Sequence, residues 1–134
     1  MPPITSVETA KAAFPNLKWR DDQPTVGAIA YAIMGGDRAT GDITILLAME
    51  GGACAPVHNH IEREGWPFRE TITCLAGSMY GIKQDDAGFV LEAGQSVDLN
   101  DSENHAPRVL ADGFALVIYR QPAGHKRPAL VHGD

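Results

Sequence analysis

The chain has 134 residues, 44% hydrophobic and 21% charged, a balance that suits one globular domain with one sizeable core. Its net charge of −6, without any cluster of lysines or arginines, argues against nucleic acid or an anionic membrane as partner. No apolar stretch approaches the length that spans a bilayer, and the first residues lack the basic and apolar regions of a secretory signal, so the cytoplasm is the expected compartment. Residues 6–14 predict a short helix with only a weak cap signal, stopped by Pro15. Everything after it predicts β-structure. A strand is expected over 26–34, followed by a turn at Gly35-Gly36-Asp37, and a second over 42–49, ended by Gly51-Gly52. Further strands are expected over 57–61, over 69–76 and 78–84 on either side of Gly77, and, after a hairpin turn at Asp85–Gly88, over 89–92 and 96–99. The last pair, 105–110 and 114–120, is joined by Ala111-Asp112-Gly113.

Short strands at turn-punctuated intervals, with almost no helical period and no internal repeat, predict an all-β sandwich or barrel. The expected layout is an N-terminal extension over 1–25, a barrel over 26–120 and a tail over 121–134. The tail, with two prolines and two glycines, predicts an extended strap, and its His125 and His132 read as solvated. Two cysteines, Cys54 and Cys74, do not make a disulfide framework. Both are expected to be small buried strand residues, with soft metal ligation or a redox pair as the competing reading.

The chemistry concentrates in four residues. His58-Asn59-His60 is a His-x-His pair, and alternate residues of a strand point to one face, so the pair can aim two imidazoles at one ion. Glu70 opens the run Glu70-Thr-Ile-Thr-Cys-Leu-Ala-Gly77, and His105 follows Gly94 by ten intervening residues. Imidazole and carboxylate are the usual ligands of divalent transition metals in enzymes. A lone histidine is more often a hydrogen-bonded core or surface group. Three gathered with a carboxylate inside an apolar fold need a compensating partner.

This spacing resembles the cupin family. Its first motif has a glycine, five residues, His-x-His, a short gap, a glutamate, six residues and a glycine, matched here by Gly52, His58, His60, Glu70 and Gly77. Its second has a glycine, five residues, Pro-x-Gly, two residues and a histidine. From Gly94 that spacing lands on Asn100, Ser102 and His105, with Asn in place of Pro and Ser in place of Gly, and Val109 stands where an asparagine often closes the motif. The two motifs run from Gly52 to Val109. The gap between His60 and the glutamate is nine residues instead of three or four. Glu64 fits the short gap counted forward, and Glu70 fits counted back from Gly77. Glu70 is preferred because it opens a strand-like run, whereas Glu64 lies in a stretch broken by Gly65 and Pro67.

The resemblance implies a double-stranded β-helix, or jelly-roll barrel, and a metal held by His58, His60, Glu70 and His105. The implied ion is one of Fe(II), Mn, Ni or Zn. Three neutral imidazoles and one carboxylate leave a divalent ion with net charge near +1, and an octahedral ion would keep two open positions. That favours dioxygenase-type chemistry on a small organic molecule, with Lewis-acid isomerase or lyase chemistry next. A non-catalytic metal- and ligand-binding or sensory module is the alternative. Tyr80 is a candidate proton donor and Glu64 a candidate base at the pocket mouth, where Trp66, Phe68 and Arg69 would also stand. Strand parity turns Arg69 and Arg108 away from the ligand face. Small cupins often pair as homodimers, so a homodimer is expected as well.

Overall fold

The computed structural model describes residues 2–37, 42–54, 70–83, 88–99 and 105–121. It contains one short helix, α1 (Val7–Ala13), and eight strands: β1 (Arg20–Asp22), β2 (Ala28–Asp37), β3 (Asp42–Glu50), β4 (Glu70–Lys83), β5 (Gly88–Glu92), β6 (Ser96–Leu99), β7 (His105–Arg108) and β8 (Phe114–Gln121). Every strand pairing among the described residues is antiparallel. The larger sheet runs β1-β2-β3-β8-β4, with β6 on the far side of the first half of β4. The second half of β4 belongs to a smaller sheet, between β5 and β7. Among the described residues the strands do not close into a ring. The architecture is the all-β double sheet expected of a jelly roll.

Strand β4 holds the two sheets together, and Gly77 is where it turns. The register shifts between Cys74 and Ala76, and Gly77 follows with φ of 73°, in the left-handed region that glycine tolerates best. A Cβ at this position would overlap the carbonyl oxygen of Phe114 on β8. The sequence predicts two strands separated at Gly77. The structure has one strand of 14 residues, bent at the bulge rather than broken. Chain length demands that bend. Glu70 pairs with Leu99 and Lys83 with His105, so the two ends of β4 are tied to residues only six apart in sequence. Six residues reach about 22 Å at most. A straight strand of this length would separate its ends by about 43 Å.

The larger sheet is covered on both faces over β2, β3 and β8. Between the two sheets lie Ile29, Tyr31, Ile43, Ile45, Leu47, Met49, Ile72, Cys74, Val117 and Tyr119, packed with Met79, Leu91 and Val109 from the other side. The opposite face presents Ala30, Leu46, Ala48 and Leu116 to Val7 and Ala10 of α1. Two-sided burial explains why β3 reads as an almost unbroken apolar run instead of an alternating one.

Helix α1 is capped more fully than its sequence suggests. The hydroxyl of Ser6 accepts from the Thr9 amide at 3.1 Å, and the Thr9 hydroxyl accepts from the Ser6 amide at 2.8 Å, a reciprocal capping box closed by a threonine. The Glu50 carboxylate accepts from the Val7 amide at 3.3 Å, which fastens the helix start to the end of β3. Beyond the helix, the Trp19 indole donates to the Phe14 carbonyl at 3.1 Å. The chain then enters β1, a strand that sequence reading misses. Arg20-Asp21-Asp22 has poor β-propensity, and these charges suit the sheet edge they occupy.

A second difference lies at Gly35-Gly36-Asp37. The sequence predicts a turn, but these residues continue β2, paired with Thr44, Ile43 and Asp42. A bulge between Ile33 and Gly35, followed by Gly36 at φ 87°, absorbs the irregularity inside the ladder. No helix among the described residues is long and apolar enough to cross a membrane.

Replacing Gly77 by alanine is expected to cost the left-handed strain of about 1–2 kcal/mol and, on top of it, the displacement of β8. Gly94, at φ 91° with open space around it, supplies the contrast: its alanine variant should lose the strain term alone. Denaturant melts of the two variants should rank G77A well below G94A. Ser6→Ala should cost about 1 kcal/mol by the same measurement.

Candidate metal centre

The two sheets face each other across an apolar layer, and strand parity sorts the candidate residues onto its walls. Along β4, Ile72 and Cys74 are buried between the sheets. Glu70 occupies the next position of that same alternation, two residues before Ile72 and opposite Leu99. Along the strand that begins at His105, Pro107 and Val109 are the buried alternates, and His105 occupies their parity opposite Lys83. Both positions therefore belong to the inward-facing registers of their strands. The side chains of Glu70 and His105, and all of His58, His60 and Glu64, lie outside the described residues, as do Trp66, Phe68 and Arg69.

The chain entering the histidine segment is firmly placed. The Val109 amide donates to the Ala53 carbonyl at 3.1 Å, and Cys54 bridges antiparallel to Arg108. The Gly52 amide donates to the Leu110 carbonyl at 2.8 Å, and the Gly51 amide to the Gly113 carbonyl at 3.0 Å. Position 54, four residues before His58, is thus held beside position 108, three residues after His105. The sequence separation of 54 residues between these two points is closed by backbone hydrogen bonds. Among the described residues no three His, Cys, Asp or Glu side chains gather into a metal-holding group.

Tyr80 stands in a different register. It pairs with Val90 on one side and Arg108 on the other, and Arg108 pairs in turn with Cys54. This row crosses the smaller sheet on the face away from Met79 and Leu91. Val90 in it is 61% exposed. The Arg108 guanidinium carbon sits 5.7 Å from the Tyr80 ring centroid, a cation–π arrangement between two half-buried side chains. Arg108 turns away from the inward register, as its parity predicts. The phenol of Tyr80 belongs to that same outer row.

The inward phenols are Tyr31 and Tyr119, neither singled out by sequence reading. Tyr119 is 5% exposed, its hydroxyl is buried, and its backbone pairs with Ile45 on β3 and Ile72 on β4. The signal that could have found it is weak. Phe114, Leu116 and Ile118 are as apolar as Ala115 and Val117, because both faces of β8 are covered, so alternation does not reveal which set faces inward.

The cysteines separate as well. Cys74 is buried between the sheets, as the sequence predicts, with its thiol 3.4 Å from the Ala76 carbonyl and 3.6 Å from that of Gly77. Burial pushes its pKa up, so the thiol stays protonated and a poor nucleophile. Cys54 is exposed instead of buried, because its bridge to Arg108 places it in the outer row of the smaller sheet. In the native protein at pH 8, a thiol-specific reagent should label Cys54 readily and Cys74 only on unfolding. A Cys54→Ser variant should therefore show almost no native labelling.

No family model matches the sequence, and no curated protein matches it. Solved structures do. A cupin-2 domain from Rhodospirillum rubrum superposes with a TM-score of 0.71 at 12% identity, covering 97% of this chain and 82% of that one. A cupin 2 conserved barrel domain protein from Rhodopseudomonas palustris gives 0.66 at 11% identity, covering 85% and 77%. KdgF from Halomonas sp. gives 0.63 at 12% identity, covering 92% and 96%. At these identities the likeness is one of backbone path. The chain has the cupin fold.

Proposed function

We propose that this chain is a metal-dependent cupin, with one divalent ion held by His58, His60, Glu70 and His105, that acts on a small organic molecule. The observation that carries this reading is the inward register shared by Glu70 and His105, together with the bonds that hold the approach to His58 beside the β7 strand. The donor set fits Fe(II), Mn, Ni or Zn, since three imidazoles and a carboxylate suit any of these ions. A bound ion would supply Lewis acidity and, if redox-active, the electron exchange that dioxygen chemistry needs. The chain's own residues contribute the setting. Ile72, Val117 and Leu91 exclude water from the layer between the sheets, and the Glu70 carboxylate would offset part of the ion's charge.

Dioxygenase-type chemistry is the favoured reaction, because an ion held by only these four side chains would leave room for both a substrate and dioxygen, with Lewis-acid isomerisation or lysis next. Glu64 is the base proposed at the pocket mouth. A non-catalytic metal- and ligand-binding module is the second reading. It is favoured by the outward register of Tyr80, which leaves the described part of the inter-sheet layer without that proton donor. The partner in either case is a small molecule, and the assembly proposed is a homodimer.

Elemental analysis of freshly purified protein should find close to one equivalent of a single transition metal. Glu70→Gln, His58→Ala and His105→Ala should each lose most of it, while Glu64→Gln retains it. Absence of stoichiometric metal in the folded wild-type protein would defeat the proposal. Retention in Glu70→Gln with loss in Glu64→Gln would transfer the carboxylate role to Glu64. Turnover that survives complete chelation would exclude a metal-dependent enzyme while leaving the binding module standing.

A further inference from the structure

The two sheets present different outer faces. On the larger sheet, helix α1 packs against β2 and β3. Beyond the helix that sheet carries hydroxyl pairs suited to water, Thr71 with Asp98 and Thr73 with Ser96, each at 2.7 Å. On the smaller sheet, Arg108, Tyr80 and Val90 form one outer row across β7, β4 and β5. Ser78 and Glu92 pair in the next row, and Leu110 follows Arg108 in the same parity. Val90 is 61% and Leu110 62% exposed. Apolar side chains grouped on a face and bordered by charge mark a contact surface.

The charges on this face indicate what covers it. The Nε atom of Arg108 is buried without a hydrogen-bond partner among the described residues. Its guanidinium meets the Tyr80 ring, and the one ion pair among the described residues is Lys11 with Asp21. Glu92 is exposed, and its carboxylate accepts from the Ser78 hydroxyl at 3.2 Å. One cation and one anion thus share the face without each other. Arg108 and Glu92 stand on either side of β4 and two residues apart along it, about 12 Å from strand spacing and rise. Leu110 and Val90 hold the other diagonal, with Tyr80 and Ser78 in the middle. A two-fold axis lying between two such faces, perpendicular to the Arg108–Glu92 diagonal, sets each guanidinium against a carboxylate. It also brings Leu110 and Val90 close to their own counterparts. No like charges meet in that arrangement, which is the self-complementarity that an isologous contact needs.

We propose that the outer face of the smaller sheet is the homodimer interface, covered by the same face of a second copy, with Arg108 of each subunit paired to Glu92 of the other. The inference rests on the proposed homodimer and is independent of the metal site. Val90, Leu110 and the Tyr80 ring supply the apolar centre, and the two symmetry-related ion pairs fix the orientation. Cys54 lies beyond Arg108 in the outer row and stands at the rim, where it keeps its access to solvent.

The test measures the oligomeric state of the full chain by sedimentation velocity over a range of micromolar concentrations. Wild type should sediment as a dimer. Val90→Glu places two carboxylates face to face near the axis, and Glu92→Arg and Arg108→Glu each set like charges together twice. Each of the three should weaken dimerisation by about 10-fold or more, with circular dichroism showing a folded chain. Both Val90 and Glu92 are exposed, so those two variants keep the test decisive even if Arg108→Glu disturbs folding. Mixing the Arg108→Glu and Glu92→Arg proteins should restore dimers, because every cross-subunit pair in the mixed species is again of opposite sign; the Arg108→Glu/Glu92→Arg double variant should dimerise for the same reason. If Val90→Glu and Glu92→Arg dimerise like wild type, this face is not the interface, and the homodimer stands on some other surface. If neither the mixture of folded single variants nor the double variant recovers dimers, the proposed pairing is overturned. A wild-type chain that stays monomeric throughout removes the homodimer and this inference together.

Discussion

The bend of β4 at Gly77 is the constraint on which the remainder of the structure depends. One strand serves two sheets, pairing with β8 and β6 before the bend and with β5 and β7 after it. The close approach of the Phe114 carbonyl admits no side chain at position 77, and the positive φ there suits only a residue without Cβ. Without the bend the chain between Leu99 and His105 could not span the ends of β4. The position of Glu70 on one sheet and of His105 on the other is therefore a consequence of one glycine and of the shortness of one connection.

The second organising feature is that the larger sheet is buried on both sides over β2, β3 and β8. Helix α1 covers one face and the smaller sheet covers the other. The helix is short, and isolated helices of this length do not persist in water. It is held by its capping box, by the bond from Val7 to Glu50 and by burial of Val7 and Ala10. The exposed ion pair between Lys11 and Asp21, at 2.6 Å, contributes little by comparison, since both partners are largely solvated. The helix seals part of the outer face of β2 and β3, so that their inner face is backed by a packed layer.

Most of the strand plan was legible along the chain, because strands bounded by glycine turns carry their own punctuation. Two of the misreadings share a cause. Gly35-Gly36 and Gly77 are turn signals in one dimension, yet in each case the ladder continues through them, since a bulge lets glycine bend a strand without ending it. Arg20–Asp22 forms a strand only because β2 offers an open edge. Ser6 caps α1 through Thr9, where a glutamate or glutamine would have been the recognisable partner. The two cysteines look alike in sequence, but one pairs across to an outer row and the other sits in an inner one.

The sequence by itself determined the all-β class, the approximate strands and the spacing of the imidazoles and carboxylates, because period, turn chemistry and motif spacing are local properties. Which phenol and which thiol face the inter-sheet layer was decided only by tertiary structure. Tyr80 and Tyr119 are equivalent on a linear reading. The pairing of Tyr80 with Val90 and Arg108 turns it outward, and the pairing of Tyr119 with Ile45 and Ile72 turns it inward. Register is a relation between strands distant in sequence, and a shift of one residue exchanges the two faces. No single strand contains the information to choose between them.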